Sequence, residues 1–173
     1  MDAGTVIWIN GSFGVGKTTV AEELRREWPG AVLFDPELVG ALLRAVAPRD
    51  LQTEDYQDMA LWRDVTTATA AALVRRTRCP VLVPMTLVVP EYFEDVIGSL
   101  RRAGIEVRHF TLQASRETIQ QRLQERPDAT DWAWAQVDRC VAALKHPRFA
   151  RHIETDGRQI ADVVAEIRNA LSD

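Results

Sequence analysis

Near its start the chain carries Gly11-Ser12-Phe13-Gly14-Val15-Gly16-Lys17-Thr18. The stretch follows the apolar run Thr5-Val6-Ile7-Trp8-Ile9-Asn10 and leads into residues at helical spacing. This is the G-x-x-x-x-G-K-T spacing of a P-loop, in the strand–loop–helix setting the motif requires. Glycines let the backbone turn tightly and aim several N–H groups inward, which makes a concave nest for anions. A helix starting near Lys17 adds the positive end of its dipole. From there Lys17 can reach the β- and γ-phosphates of a nucleotide, and the Thr18 hydroxyl can ligate Mg²⁺. The competing reading is a glycine-rich turn that binds nothing; the full spacing, the Lys-Thr pair and the flanking pattern weigh against it. A dinucleotide fingerprint fails because position 19 is Thr19. Gly11 to Thr19 are therefore the candidate binding residues for a nucleoside triphosphate.

The rest of the chain alternates short apolar runs with helical patterns. Val20, Ala21, Leu24 and Trp28 recur at helical spacing before Pro29-Gly30. Ala31 to Phe34 reads as a strand covered on both faces. Leu38, Leu42, Leu43 and Val46 then suggest one apolar helix face, and a long helical pattern covers about 55–76. Val81 to Met85 is a third strand, with Pro84 marking its end or a bulge. Pro90 opens another helix; Val107 to Leu112 is a fourth strand, and Ser115 a helix N-cap. Residues 126–131 break that helix and Val137, Val141 and Leu144 mark the next. His152 to Glu154 reads as a last strand, before an amphipathic helix with Ile160, Val163, Val164 and Ile167. Such alternation implies βαβ crossovers and a parallel sheet between helical layers, an α/β P-loop fold in one domain over 1–173.

Composition excludes some functions. A formal net charge of −4 argues against nucleic acid as the main partner. No apolar run approaches the length of a membrane span. Cys79 and Cys140 have neither metal-ligand spacing nor the makings of a disulfide framework. No basic leader precedes the first strand, so the expectation is a cytoplasmic protein. His109, His146 and His152 show no triad or ligand spacing.

Among P-loop proteins, a GTPase switch is disfavoured by the absence of N-K-x-D, and most motors by the lack of an acid after the third strand. Small-molecule kinases often dispense with that acid. In them an acidic residue ending the second strand often faces the acceptor, and here that residue is Asp35. Ligands bind outside the carboxyl ends of parallel strands, so Asp35 is the candidate to orient or deprotonate the attacking hydroxyl. A competing role as a helix cap is compatible with this. Arg122 and Arg126 lie where a lid would begin, over about 126–146, and can neutralise the transferring phosphoryl group. Arg44, Trp62, Arg63 and Thr86 are candidates for the acceptor pocket, with ordinary surface charge the competing reading for the two arginines. Trp132 and Trp134 could close over a ligand or belong to the core.

Several stretches together resemble the bacterial tunicamycin-resistance proteins: Ile7-Trp8-Ile9-Asn10-Gly11 with the P-loop, Phe34-Asp35-Pro36-Glu37 and Leu61-Trp62-Arg63. The likeness continues in Val83-Pro84-Met85-Thr86, Pro90-Glu91-Tyr92-Phe93, His109-Phe110-Thr111-Leu112 and Ile153-Glu154-Thr155-Asp156. The resemblance implies a nucleoside-monophosphate-kinase-like fold using ATP and Mg²⁺, and protection against tunicamycin, a fatty-acylated uridine-containing antibiotic. Similar kinases for chloramphenicol and shikimate place an acidic base where Asp35 stands, and adenine-stacking and lid arginines at Arg122 and Arg126. By the same likeness Thr155, Asp156 and Gly157 border the adenine. Some relatives carry a longer C-terminal tail, whereas this sequence ends at Asp173, so membrane association through such a tail is not carried over. The expected function is phosphorylation of a tunicamycin hydroxyl. Sequestration without transfer, or a kinase for another nucleoside or sugar metabolite, are the alternatives.

Overall fold

Strand β1 (Thr5–Gly11) is buried along its whole length, and its near-continuous apolar sequence follows from lying mid-sheet with helices on both faces. The structure, a computed structural model, describes residues 4–127 and 129–172. Among these residues β1 joins β2 (Val32–Leu33), β3 (Val81–Pro84), β4 (Glu106–Gln113) and β5 (His152–Glu154) in one parallel sheet of order β2-β3-β1-β4-β5. Trp8 stands beside Val83 on one side and His109 on the other.

Alternate residues of β1 feed two cores. Val6 and Trp8 pack with Trp62, Ala70 and Val74 of α3 (Ala60–Thr77). The same cluster takes Phe93, Val96, Ile97 and Leu100 from the rod over 90–102. That rod is α4 (Pro90–Phe93), a π-helical stretch (Glu94–Gly98) and α5 (Ser99–Arg102). Ile7 and Ile9 face the other way, toward Val20 and Leu24 of α1 (Lys17–Glu27) and Val163, Val164 and Ile167 of α8 (Ile160–Ser172). Three further helices complete the fold: α2 (Glu37–Val46), α6 (Arg116–Gln124) and α7 (Asp131–Ala143). Ser115 and Thr130 cap α6 and α7 by accepting from Thr118 N and Ala133 N. The expected α/β architecture is the one observed. Asp128, within the expected helix break, lies outside the described residues.

Three local expectations need correction. β2 is only two residues long and half-buried, because it forms the sheet edge. The long third helix starts at Ala60; before it, Tyr56–Asp58 is a 3₁₀ turn whose Gln57 N is capped by Asp55. On α2 the buried residues are Val39, Gly40 and Leu43, whereas Leu38, Leu42 and Val46 are more than half exposed. Two contacts set that rotation. Trp62 Nε1 donates to Pro36 O at 3.0 Å. Gly40 lies so close to the Tyr56 ring that a Cβ there would come within 2.7 Å of it.

His109 on β4 is buried, with Nδ1 3.1 Å from Ala150 O and its ring edge-on to Phe93 at 4.8 Å. Burial lowers its pKa to about 4. The native ring is therefore neutral where an unfolded chain begins to take a proton, below about pH 6.5. Stability contributed by this group is complete above that pH and falls as pH drops toward about 4. We expect roughly 2 kcal/mol of loss between about pH 7 and 5, flattened in His109→Gln and read from urea unfolding at both pH values.

Candidate active site

The loop after β1 has the backbone its glycines permit: φ is +147° at Gly11, +76° at Gly14 and +103° at Gly16. At Gly11 a Cβ would lie 2.6 Å from Val15 Cγ1 and 2.9 Å from Leu112 O, so the loop turns tightly against the end of β4. Gly16 stands at the N-cap of α1 without a side-chain hydrogen bond, and the first turn of α1 contains no acidic residue. The opening amides of α1 thus lack the hydroxyl caps that serve α6 and α7, and they carry the positive end of the helix dipole. That arrangement fits a polyphosphate.

Buried side chains hold the loop in place. Asn10 Oδ1 accepts from Gly11 N and from Leu87 N, each at 2.8 Å, while its Nδ2 donates to Leu87 O at 2.8 Å. Thr86 Oγ1 donates to Gly11 O at 2.8 Å, and Trp8 Nε1 to Met85 O at 3.1 Å. The chain leaving β3 is stitched to the chain leaving β1.

The loop opens into a cleft of about 800 Å³ lined by Phe13 to Thr19, Asp35, Glu37, Arg122, Arg126 and Arg158. Lys17 Nζ donates to Ser12 O at 2.9 Å and lies 5.4 Å from the Phe13 ring centroid. Burial brings its pKa down to about 8, partly opposed by the Glu37 and Asp35 carboxylates. Thr18 is exposed at the second position of α1 and lines the cleft, where its hydroxyl could ligate a phosphate-bound Mg²⁺. Asp35 Oδ1 accepts from Glu37 N at 2.9 Å, so this carboxylate caps the start of α2 and lines the cleft at once.

Arg122 is braced rather than solvated. Its Nη1 donates to Val15 O at 3.1 Å and to Thr155 Oγ1 at 3.0 Å, and Nη2 donates to Thr155 O at 3.0 Å. It ties the phosphate loop to the turn after β5. Arg126 lies beyond the end of α6, not on its face, yet lines the same cleft. Gly157 turns with φ +63°. Asp156 accepts from Ser115 N at 2.8 Å and lines a separate recess of about 370 Å³ with Arg116 and Lys145.

A second recess, about 460 Å³, adjoins the cleft and shares Phe13, Glu37 and Arg126 with it. Arg44, Asp55, Tyr56 and Trp132 complete much of its wall. Arg44 is the one residue from the four-member pocket expectation that lines it. Trp62 is fully buried with its N–H spent on Pro36, and Thr86 is buried against the phosphate loop. Arg63 bonds Asp95 at 2.9 Å and Gln57 O, and lies 4.3 Å from the Tyr92 ring centroid. These three line neither cavity. Trp134 packs against the core beside α1 and α8, whereas Trp132 meets Phe13 edge-on at 5.2 Å.

Sequence reading missed Glu37, Asp55, Tyr56 and Arg158. Arg158 reaches the cleft rim held by Glu166 at 2.7 Å and by the Glu154 and Asp162 carbonyls. No local motif marks it. Glu37 was readable, two residues beyond Asp35 on the same turn.

A polyphosphate beside Lys17 raises its pKa again, so binding above about pH 8 must draw in a proton. Calorimetry of ATP binding at about pH 9, in two buffers of different ionisation enthalpy, should show this uptake. It should vanish near pH 7 and in Lys17→Met, and affinity should fall as pH climbs above about 8.

Comparison with known proteins agrees with this geometry. The chain superimposes on the Deinococcus radiodurans tunicamycin resistance protein with a TM-score of 0.82 and 26% identity, covering 97% of this chain and 96% of that one. A gluconokinase from Sinorhizobium meliloti 1021 matches with a TM-score of 0.70 and 19% identity over 99% and 94% of the two chains. The Mycobacterium tuberculosis APS kinase matches with a TM-score of 0.69 and 19% identity over the full length of both. These last two share the fold. No curated protein sequence matches significantly. The family model described as AAA domain matches residues 6–161, and with the phosphate-binding loop, parallel sheet and kinase neighbours on one chain, this protein belongs to that P-loop family.

Proposed function

We propose that this protein transfers the γ-phosphoryl group of ATP to a hydroxyl of tunicamycin or a related nucleoside or sugar compound. The observation that carries the reading is the adjacency of the two cavities: the phosphate-binding cleft and the second recess share Phe13, Glu37 and Arg126 as walls. A donor held on the loop would present its terminal phosphate toward an acceptor in that recess. Likeness to the Deinococcus tunicamycin resistance protein supports the choice of acceptor.

Each residue has a role on this reading. The amides of Gly11 to Thr19 and the Lys17 ammonium hold the phosphates, and Thr18 ligates Mg²⁺. Bound ATP with its Mg²⁺ supplies the phosphoryl group and charge neutralisation. Asp35 orients the acceptor hydroxyl and takes its proton as the new O–P bond forms and the bond to the β-phosphate oxygen breaks. Arg126 offsets charge on the moving group. Arg122, fixed between Val15 and Thr155, borders the base together with Thr155 and Gly157; Asp156 supports that turn through Ser115. The chain acts as one kinase-like domain with 126–146 as its lid, in which Trp132 meets Phe13 of the phosphate loop.

Purified protein incubated with tunicamycin, ATP and Mg²⁺ should yield a product heavier by one phosphoryl group in the mass spectrum. Lys17→Ala should abolish it. Asp35→Asn, which keeps a capping oxygen, should lower kcat by about 10²–10⁴-fold with binding preserved; undiminished turnover would remove Asp35 from the chemistry. Tight antibiotic binding with no change of mass would instead favour sequestration.

A further inference from the structure

If the second recess receives the acceptor, as the kinase reading requires, its lining restricts what that acceptor can be. Three acidic residues, Glu37, Glu54 and Asp55, and two basic ones, Arg44 and Arg126, line the recess. Arg44 is held against the wall: its Nη2 donates to Glu54 O at 2.9 Å and its guanidinium lies 5.2 Å from the Tyr56 ring centroid. Arg126 also lines the phosphate cleft. The balance in the recess is therefore negative, and more so once a nucleotide is bound. An anionic acceptor would meet like charge at short range.

The same carboxylates suit hydroxyl groups. An ionised carboxylate only accepts, through two oxygens, and can take hydrogen bonds from neighbouring hydroxyls of one ring. Asp55 Oδ1 accepts from Gln57 N at 3.0 Å, which fixes the side chain and leaves its second oxygen for such a bond. Glu37 lies in the first turn of α2 and lines both cavities. Two half-buried aromatic rings add flat apolar surface. Tyr56 is backed by Trp62 at 5.3 Å, and Trp132 is held by its edge contact with Phe13.

We propose that the recess selects an uncharged polyhydroxyl compound bearing a flat ring, with Glu37 and Asp55 as its hydroxyl-binding residues, and that it rejects acceptors already carrying phosphate. The probes are uridine and uridine 5′-monophosphate, compared by calorimetry with a non-hydrolysable ATP analogue and Mg²⁺ filling the phosphate cleft. Uridine should bind at least about tenfold more tightly than the monophosphate. Glu37→Gln and Asp55→Asn should each weaken uridine roughly 3–10-fold and narrow that ratio, because each removes a charged acceptor and a source of repulsion at once. A purely structural role would weaken both probes equally. Equal or tighter binding of the monophosphate, a ratio unchanged in both variants, or no binding of uridine at millimolar concentration would each overturn the proposal. Should the analogue itself fail to bind, the kinase reading falls separately, and the same ratio on the free protein still judges the recess.

Discussion

The side-chain amide of Asn10 is the fastening on which the site depends. It is wholly buried and uses its oxygen and nitrogen on three backbone groups, Gly11 N, Leu87 N and Leu87 O. Shortening it would strand those groups away from water, each at about 1–3 kcal/mol. Trp8 and Thr86 add two more bonds between the same segments. Together they fix where β1 ends, where the phosphate loop begins and how the chain departs from β3. A cradle of backbone amides works only if those amides keep their directions when a ligand arrives, and this fastening limits their freedom beforehand.

Charged side chains surround that fixed loop. Lys17 rests on Ser12 O, half-buried and ready to gain from an incoming polyanion. Arg122 is spoken for by the protein, joining Val15 to Thr155. Arg126, at the junction of the two cavities, is exposed and follows the helix end. The fold is shared with kinases named for unlike acceptors, so it does not by itself choose an acceptor. On the proposed reading, that choice falls to the second recess and to residues on α2, the 55–58 turn and α7.

The phosphate loop was legible because its physics writes itself into residue type: positive φ demands glycine, and phosphate demands Lys and a hydroxyl at fixed spacing. Asp35 was legible from its place after a strand. The orientation of α2 was not, because Leu38, Leu42, Leu43 and Val46 form a plausible apolar face by spacing alone. What turns the helix is the close approach of Gly40 to Tyr56 and the bond from Trp62 to Pro36, both long-range. Trp62 and Thr86, expected beside the acceptor, line neither cavity for the related reason that their polar atoms are spent on backbone. Asp55 and Tyr56 were hidden by an assumed continuous helix, whose interruption before Ala60 places them on a wall of the recess.

The order of the strands bears on more than the site. The sheet ends in its two shortest members, β2 with two residues and β5 with three, while the seven- and eight-residue strands lie within. An exposed strand edge is a template on which another chain can add, and its danger grows with length. Here the long, apolar β1 has partners on both sides, β3 over Val6–Ile9 and β4 over Thr5–Gly11, and offers no such template once folded, whereas β4 meets β5 only over Thr111–Gln113. The same placement that puts the phosphate loop at mid-sheet therefore keeps the most apolar strand from serving as an edge for another chain.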